Sequence, residues 1–166
     1  MISDIAHWPV GPVQLIWREG DLASLPITGA HGFCFDGGTI VLCDIEGRGL
    51  TIPGGHIHDE ESIEDCLRRE VSEEAYVDLG RLALLGYIEA DHRANPNYDG
   101  PYPIRSVQAV FHAKVTSIND FESQHEASHR LFVPIADVPT QHHEWNAVLQ
   151  AAFNAAIDSS FQRFVE

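Results

Sequence analysis

The stretch Pro53-Gly54-Gly55, followed by a helical run toward Val77, constrains this chain more than any other feature. The proline and glycines break the extended run Leu50-Thr51-Ile52. From Glu60 to Ala75 the apolar residues Ile63, Leu67 and Val71 then recur every four positions, the spacing of one face of an α-helix. Asp59 and Ser62 both suit an N-terminal cap, so the first turn is open at sequence level.

On such a helix Glu70, Glu73 and Glu74 span roughly a third of the circumference, at about 100° per residue. Ile63 and Leu67 lie beside the direction of Glu70 and Glu74. Carboxylates bordering a packing face lose hydration and repel one another unless positive charge compensates them. Mg²⁺ or Mn²⁺ offers that charge, because hard cations take oxygen ligands and phosphate oxygens complete their coordination. The plain alternative is a solvated acidic face, which Glu60, Glu61, Glu64 and Asp65 also support.

The flanks read as sheet. Val10 to Trp17 has an edge-like strand pattern limited by Pro9 and Pro12. His31–Phe35 and Thr39–Cys43 are β-rich runs joined by Asp36-Gly37-Gly38, a hairpin composition. Leu79–Ala90, with an interruption at Gly86, Ser106–Val115 and Arg130–Ile135 are further strands, while 91–103 reads as an ordered, proline-restricted loop or lid. Trp145, Leu149, Ala152, Phe153, Ala156 and Ile157 form the apolar stripe of a last helix near 143–160. These elements predict a single α+β domain over residues 1–166, a layered α/β/α sandwich with a mixed central sheet.

Twenty-five Asp plus Glu against ten Lys plus Arg give a formal net charge of -15, which repels a nucleic-acid backbone and argues against nucleic acid as a partner. A small anion accompanied by a divalent cation is compatible with that field. No apolar run is long enough to span a bilayer, and the first residues lack the pattern of a secretory signal, so a cytoplasmic location is expected. Cys34, Cys43 and Cys66 form no Cys-x-x-Cys motif and read as buried free thiols. His56, His58, His125, His129, His142 and His143 lack a conventional zinc-ligand spacing.

Gly55, Glu61, Arg69-Glu70-Val71-Ser72-Glu73-Glu74 and Val77 together resemble the Nudix box, Gly-x5-Glu-x7-Arg-Glu-U-x-Glu-Glu-x-Gly-U, over the 23 residues Gly55–Val77. The resemblance implies a Nudix hydrolase fold with Mg²⁺ or Mn²⁺ as cofactor. It further implies hydrolysis of a phosphoric anhydride bond in a nucleoside diphosphate linked to another moiety, or in a related nucleoside triphosphate. Glu70, Glu73 and Glu74 match the metal-binding glutamates, Gly54 the residue whose carbonyl joins the metal site, and Glu61 and Arg69 the pair that braces loop and helix. Family members also recruit a carboxylate outside the box as ligand or general base; Glu126 is the candidate here, with Glu122 in reserve. Arg93, Tyr98, Tyr102 and Arg105 are the candidate substrate-binding residues. Tyrosine suits stacking on a base and arginine suits phosphate, and either equally stabilises the loop.

One box glycine is replaced by Tyr76. Glycine tolerates the left-handed conformation common after a helix, whereas tyrosine there costs about 1 kcal/mol or more, so either the helix runs one residue longer or its exit changes. A second reading of the chain is therefore a nucleotide- or metabolite-binding regulatory domain with weak turnover. A protein-interaction domain with solubilising glutamates is a third. Nudix-like proteins are often dimers, which makes a homodimer an expectation by resemblance.

Overall fold

The computed structural model describes residues 1–162, the side chain of Gln162 excepted; residues 163–166 of the expected 1–166 domain lie outside the described residues. The strands are β1 (Ile2–Trp8), β2 (Gly11–Glu19), β3 (Ile27–Asp36), β4 (Thr39–Ile45), β5 (Gly49–Thr51), β6 (Gly54–His56), β7 (Val77–Asp91), β8 (Arg105–Ile118) and β9 (Ala127–Pro134). The α-helices are α1 (Ile63–Ala75), α2 (Val138–Gln141) and α3 (Ala147–Gln162). The strands form one sheet in the order β1-β2-β7-β8-β3-β4-β5, with β6 added against β3 and β9 against β4. Central β3 and β8 run parallel while their other pairings are antiparallel, so the sheet is mixed.

Two-residue periodicity sends alternate side chains of the central strands to opposite helices. Ala30, Cys34, Val41, Cys43, Ala109, Phe111 and Ala113 form one core with Cys66, Leu67, Val71 and Ala75 of α1. Phe33, Phe35, Ile40, Leu42 and Val110 form the other with Val148, Ala152, Phe153 and Ala156 of α3. The result is the expected α/β/α sandwich. Leu67 seats deeply because Gly32 has no side chain: a Cβ there would lie 3.2 Å from both Leu67 methyl carbons.

Of the two cap candidates, Ser62 is the one used, its hydroxyl accepting from the Asp65 N–H at 3.0 Å. Arg68 ties α1 to β7 by donating to the Leu79 and Gly80 carbonyls. At the start of α3, Asn146 accepts from the Val148 and Leu149 N–H groups, and Asp4 of β1 accepts from that of Ala147.

The first strand pair differs from expectation. Val10–Trp17 read as an edge, but β2 lies between β1 and β7, and β1 takes the edge. Strand β1 escaped notice because Ile2 and Ile5 point outward, 45% and 64% exposed, while Ala6 and Trp8 turn to the core, which blurs the alternation. Strand β7 runs on through Gly86, with a register shift between Leu84 and Gly86 where the interruption was read. The three cysteines are buried and free. Among the described residues no helix is long and apolar enough to cross a membrane.

Candidate active site on the glycine strand and the glutamate helix

Strand β6 lies flush against β3, with Gly29 opposite His56, Ala30 opposite Gly55 and His31 opposite Gly54. The close approach depends on missing side chains: a Cβ on Gly29 would come within 2.3 Å of the Gly55 carbonyl oxygen, and one on Gly54 within 2.3 Å of that of Ala30. On the other side of the strand a Cβ on Gly55 would stand 2.5 Å from the Glu70 carboxyl carbon. The glycines therefore bring the helix carboxylates directly onto backbone.

Glu74 is 5% exposed, and one of its oxygens accepts from the Gly54 N–H at 3.1 Å. Burial raises its pKa to about 7; the Gly54 hydrogen bond opposes that rise, and the charges of Glu70 and Glu126 add to it. Glu70 and Glu73 lean toward Arg69, whose Nη1 lies 2.9 Å from the first and 3.5 Å from the second. The same guanidinium forks onto both Glu61 oxygens, at 2.7 and 3.1 Å, and donates to the His56 carbonyl. With the His58 N–H also donating to it, Glu61 is held down at a pKa of about 2, first by Arg69. Arg69 and Glu61 thus form a hydrogen-bonded clamp joining β6, the loop after it and α1.

Part of the positive charge these crowded carboxylates require comes from the protein itself, through Arg69. Arg69 spans Glu70 and Glu73, while Glu74 shifts toward its protonated form. Among the described residues no three His, Cys, Asp or Glu side chains are drawn together as a ready-made metal cluster. The donor set nonetheless fits a hard divalent cation. A buried carboxylate whose charge is disfavoured stands beside Glu70 and within electrostatic range of Glu126, and all of these donors are oxygen.

Glu126 ends the irregular segment 119–126 between β8 and β9, and its carbonyl accepts from the Glu46 N–H. It lines a cleft of about 680 Å³ with Arg48, Gly49, Ser123 and His125; the helix glutamates do not line that cleft. The reserve candidate Glu122 accepts from the Gln124 side chain.

Of the four substrate-binding candidates, Tyr102 comes to the box, stacked on His56 with ring centroids 4.5 Å apart and planes 7° from parallel. Tyr98 instead stacks on His92 and donates to the Tyr102 carbonyl. Arg93 forks onto Asp91, and Arg105 donates to the buried Glu89. Those three are engaged in holding the 91–105 segment together.

Two contributors were missed. Arg48 acts electrostatically on Glu74, His56 and His31, and its only sequence signal is its place between Gly47 and Gly49 in the β4–β5 turn. His31, bonded to Gln108 at 2.9 Å, is held neutral by burial, its pKa lowered to about 4.

Tyr76 takes neither course expected of it. Helix α1 stops at Ala75, and Tyr76 itself adopts the left-handed conformation, φ 53° and ψ 42°. Because β7 begins at Val77, one residue must make the whole turn.

The NUDIX domain model matches residues 27–153. Comparison with curated proteins finds no match. Among solved structures, a variant of the Bacillus subtilis pyrophosphohydrolase BsRppH is similar at 17% identity and TM-score 0.74, over 96% of this chain and 98% of that one. An ADP-ribose pyrophosphatase from Streptococcus suis is similar at 19% identity and TM-score 0.59, over 81% and 92%. The NUDIX domain of Shewanella oneidensis NrtR, complexed with ADP ribose, is similar at 16% identity and TM-score 0.60, over 82% and 90%. These likenesses agree on the fold, and with the family match over most of its length the chain belongs to the NUDIX domain family.

Proposed function

We propose that the protein hydrolyses a phosphoric anhydride bond in a nucleoside diphosphate linked to another moiety, or in a related nucleoside triphosphate, with Mg²⁺ or Mn²⁺ as cofactor. The observation that carries this reading is buried Glu74, pressed onto the Gly54 backbone beside Glu70, with its carboxylate charge disfavoured. Glu70, Glu73, Glu74 and Glu126, with the Gly54 carbonyl, are the residues that would hold the metal. A bound divalent cation supplies charge that polarises phosphate oxygens and lowers the pKa of water. Arg69 and Glu61 tie the helix to the glycine strand and the loop after it, which fixes the backbone that carries the carboxylates. Glu126, at the end of its segment, is the group we assign to take the proton of the attacking water on a carboxylate oxygen. Tyr102, beside the box, is the group we assign to the base or the leaving moiety.

The net charge of -15 supports a small substrate brought in with a cation over a long polyanion. ADP-ribose belongs in the first test because one similar structure is named for hydrolysing it and another was solved with it bound. The test is incubation with a panel of nucleoside diphosphate derivatives and nucleoside triphosphates in Mg²⁺ or Mn²⁺, with products identified by mass spectrometry. Cleavage at the anhydride is expected, with kcat lowered at least about 100-fold in Glu74→Gln, the scale of losing a main charge-stabilising group. Tight nucleotide binding without cleavage would replace this proposal with the regulatory reading.

A further inference from the structure

Where the box pattern has glycine, Tyr76 occupies a conformation that disfavours a side chain, yet its side chain is fully engaged. Its phenolic oxygen accepts from the Gln124 N–H at 2.9 Å. Its ring meets that of Phe121 edge-on, with centroids 5.0 Å apart and planes at 69°. Its carbonyl accepts from the Asn119 N–H at 2.8 Å and, with the Ala75 carbonyl, from Nη1 of Arg130. The Arg130 guanidinium in turn lies 5.7 Å from the Phe121 ring centroid.

These contacts converge on the 119–126 segment, which has no helix or strand of its own and ends at Glu126. The segment is also held by the Asn119 side chain donating to Asp78, that of Gln124 to Glu122, the Ser123 hydroxyl to the Ala127 carbonyl, the Glu46 N–H to the Glu126 carbonyl, and the packing of Phe121 on the core. Tyr76 follows Glu74 by two residues, so a rigid helix end that carries one carboxylate holds the segment that carries another. Glycine at this position would provide the backbone turn and the carbonyl bonds, but neither the hydroxyl bond to Gln124 nor the ring contact with Phe121.

The geometry points to Tyr76 as a positioning residue that sets the Glu126 carboxylate relative to Glu70 and Glu74. This rests on the reading of Glu126 as part of the hydrolytic site. The side chain acts through the loop and does not touch substrate.

The test compares wild type with Tyr76→Phe, Tyr76→Gly, Glu126→Gln and the double variant Tyr76→Gly/Glu126→Gln. In metal-free protein, backbone amide exchange at Gln124 is expected to rise about 10-fold in Tyr76→Phe, with residues 121–126 following in Tyr76→Gly. Mn²⁺ affinity, measured by paramagnetic resonance without substrate, is expected to fall about 10-fold in Tyr76→Gly and in Glu126→Gln, with no further loss in the double variant. For any hydrolysed substrate, kcat falls in Tyr76→Gly with KM unchanged. A melting temperature no lower than wild type separates these losses from unfolding. Unchanged exchange at Gln124, or losses in Mn²⁺ affinity that add fully in the double variant, would overturn the positioning role. Absence of turnover in wild type would overturn the hydrolytic reading instead, and the exchange and Mn²⁺ measurements would still decide the role of Tyr76.

Discussion

Glu74 shows how one residue can be legible in kind and illegible in state. Its place in the box marks it as a metal-binding carboxylate by resemblance, but that burial and the Gly54 N–H would move its pKa up to about 7 depends on what packs around it. The shift has a definite sign. Below about pH 4.5 the carboxyl is protonated both folded and unfolded, and folding gains its full stability. As pH rises through about 7 the fold must accept a buried charge, and that stability is lost. Metal-free Glu74→Gln keeps an oxygen for the Gly54 N–H and avoids the charge. It is therefore expected to be more stable than wild type at pH 8, by up to about 3 kcal/mol from linkage, with the gap closing near pH 4.5. Thermal melts across pH in a chelator check this, and a constant gap at all pH values would rule it out.

At the level of elements, the joint between β6 and α1 decides the site. Helix α1 is legible because its apolar spacing and Ser62 cap are local signals, and the glycines marked a turn. What they left undetermined was that Gly54 and Gly55 form a strand pressed between β3 and the Glu70 carboxylate, since that contact needs the sheet to exist first. Gly55→Ala is accordingly expected to push Glu70 off the strand. Stability should drop by about 1–3 kcal/mol, the usual effect of overpacking, and Mn²⁺ affinity should fall at least about 10-fold. A crystal structure of the variant with Glu70 unmoved would refute the seating argument. The 91–105 segment was likewise legible as an ordered loop, whereas the Tyr102–His56 stack that carries it to the box was not.

Across the whole molecule, a net charge of -15 means that repulsion opposes compaction everywhere except in local clamps such as Arg69 with Glu61. Screening should relieve the long-range repulsion more than it weakens contacts of hydrogen-bond length. The metal-free melting temperature is thus expected to rise by a few degrees between about 10 mM and 200 mM NaCl, as calorimetry would show; a fall would mean that the clamps outweigh the field. The amino-acid sequence by itself determined the helix of glutamates, most of the strands, the layered class and the family, because apolar periodicity, turn glycines and motif spacing are properties of short segments. Only the tertiary structure decided that Tyr76 grips Gln124 across 48 positions, and that Arg48 and Glu126 come within electrostatic range of Glu74. Those proximities follow from the registers of β3 with β8 and of β4 with β9, which depend on the assembled sheet and not on the propensity of any one strand.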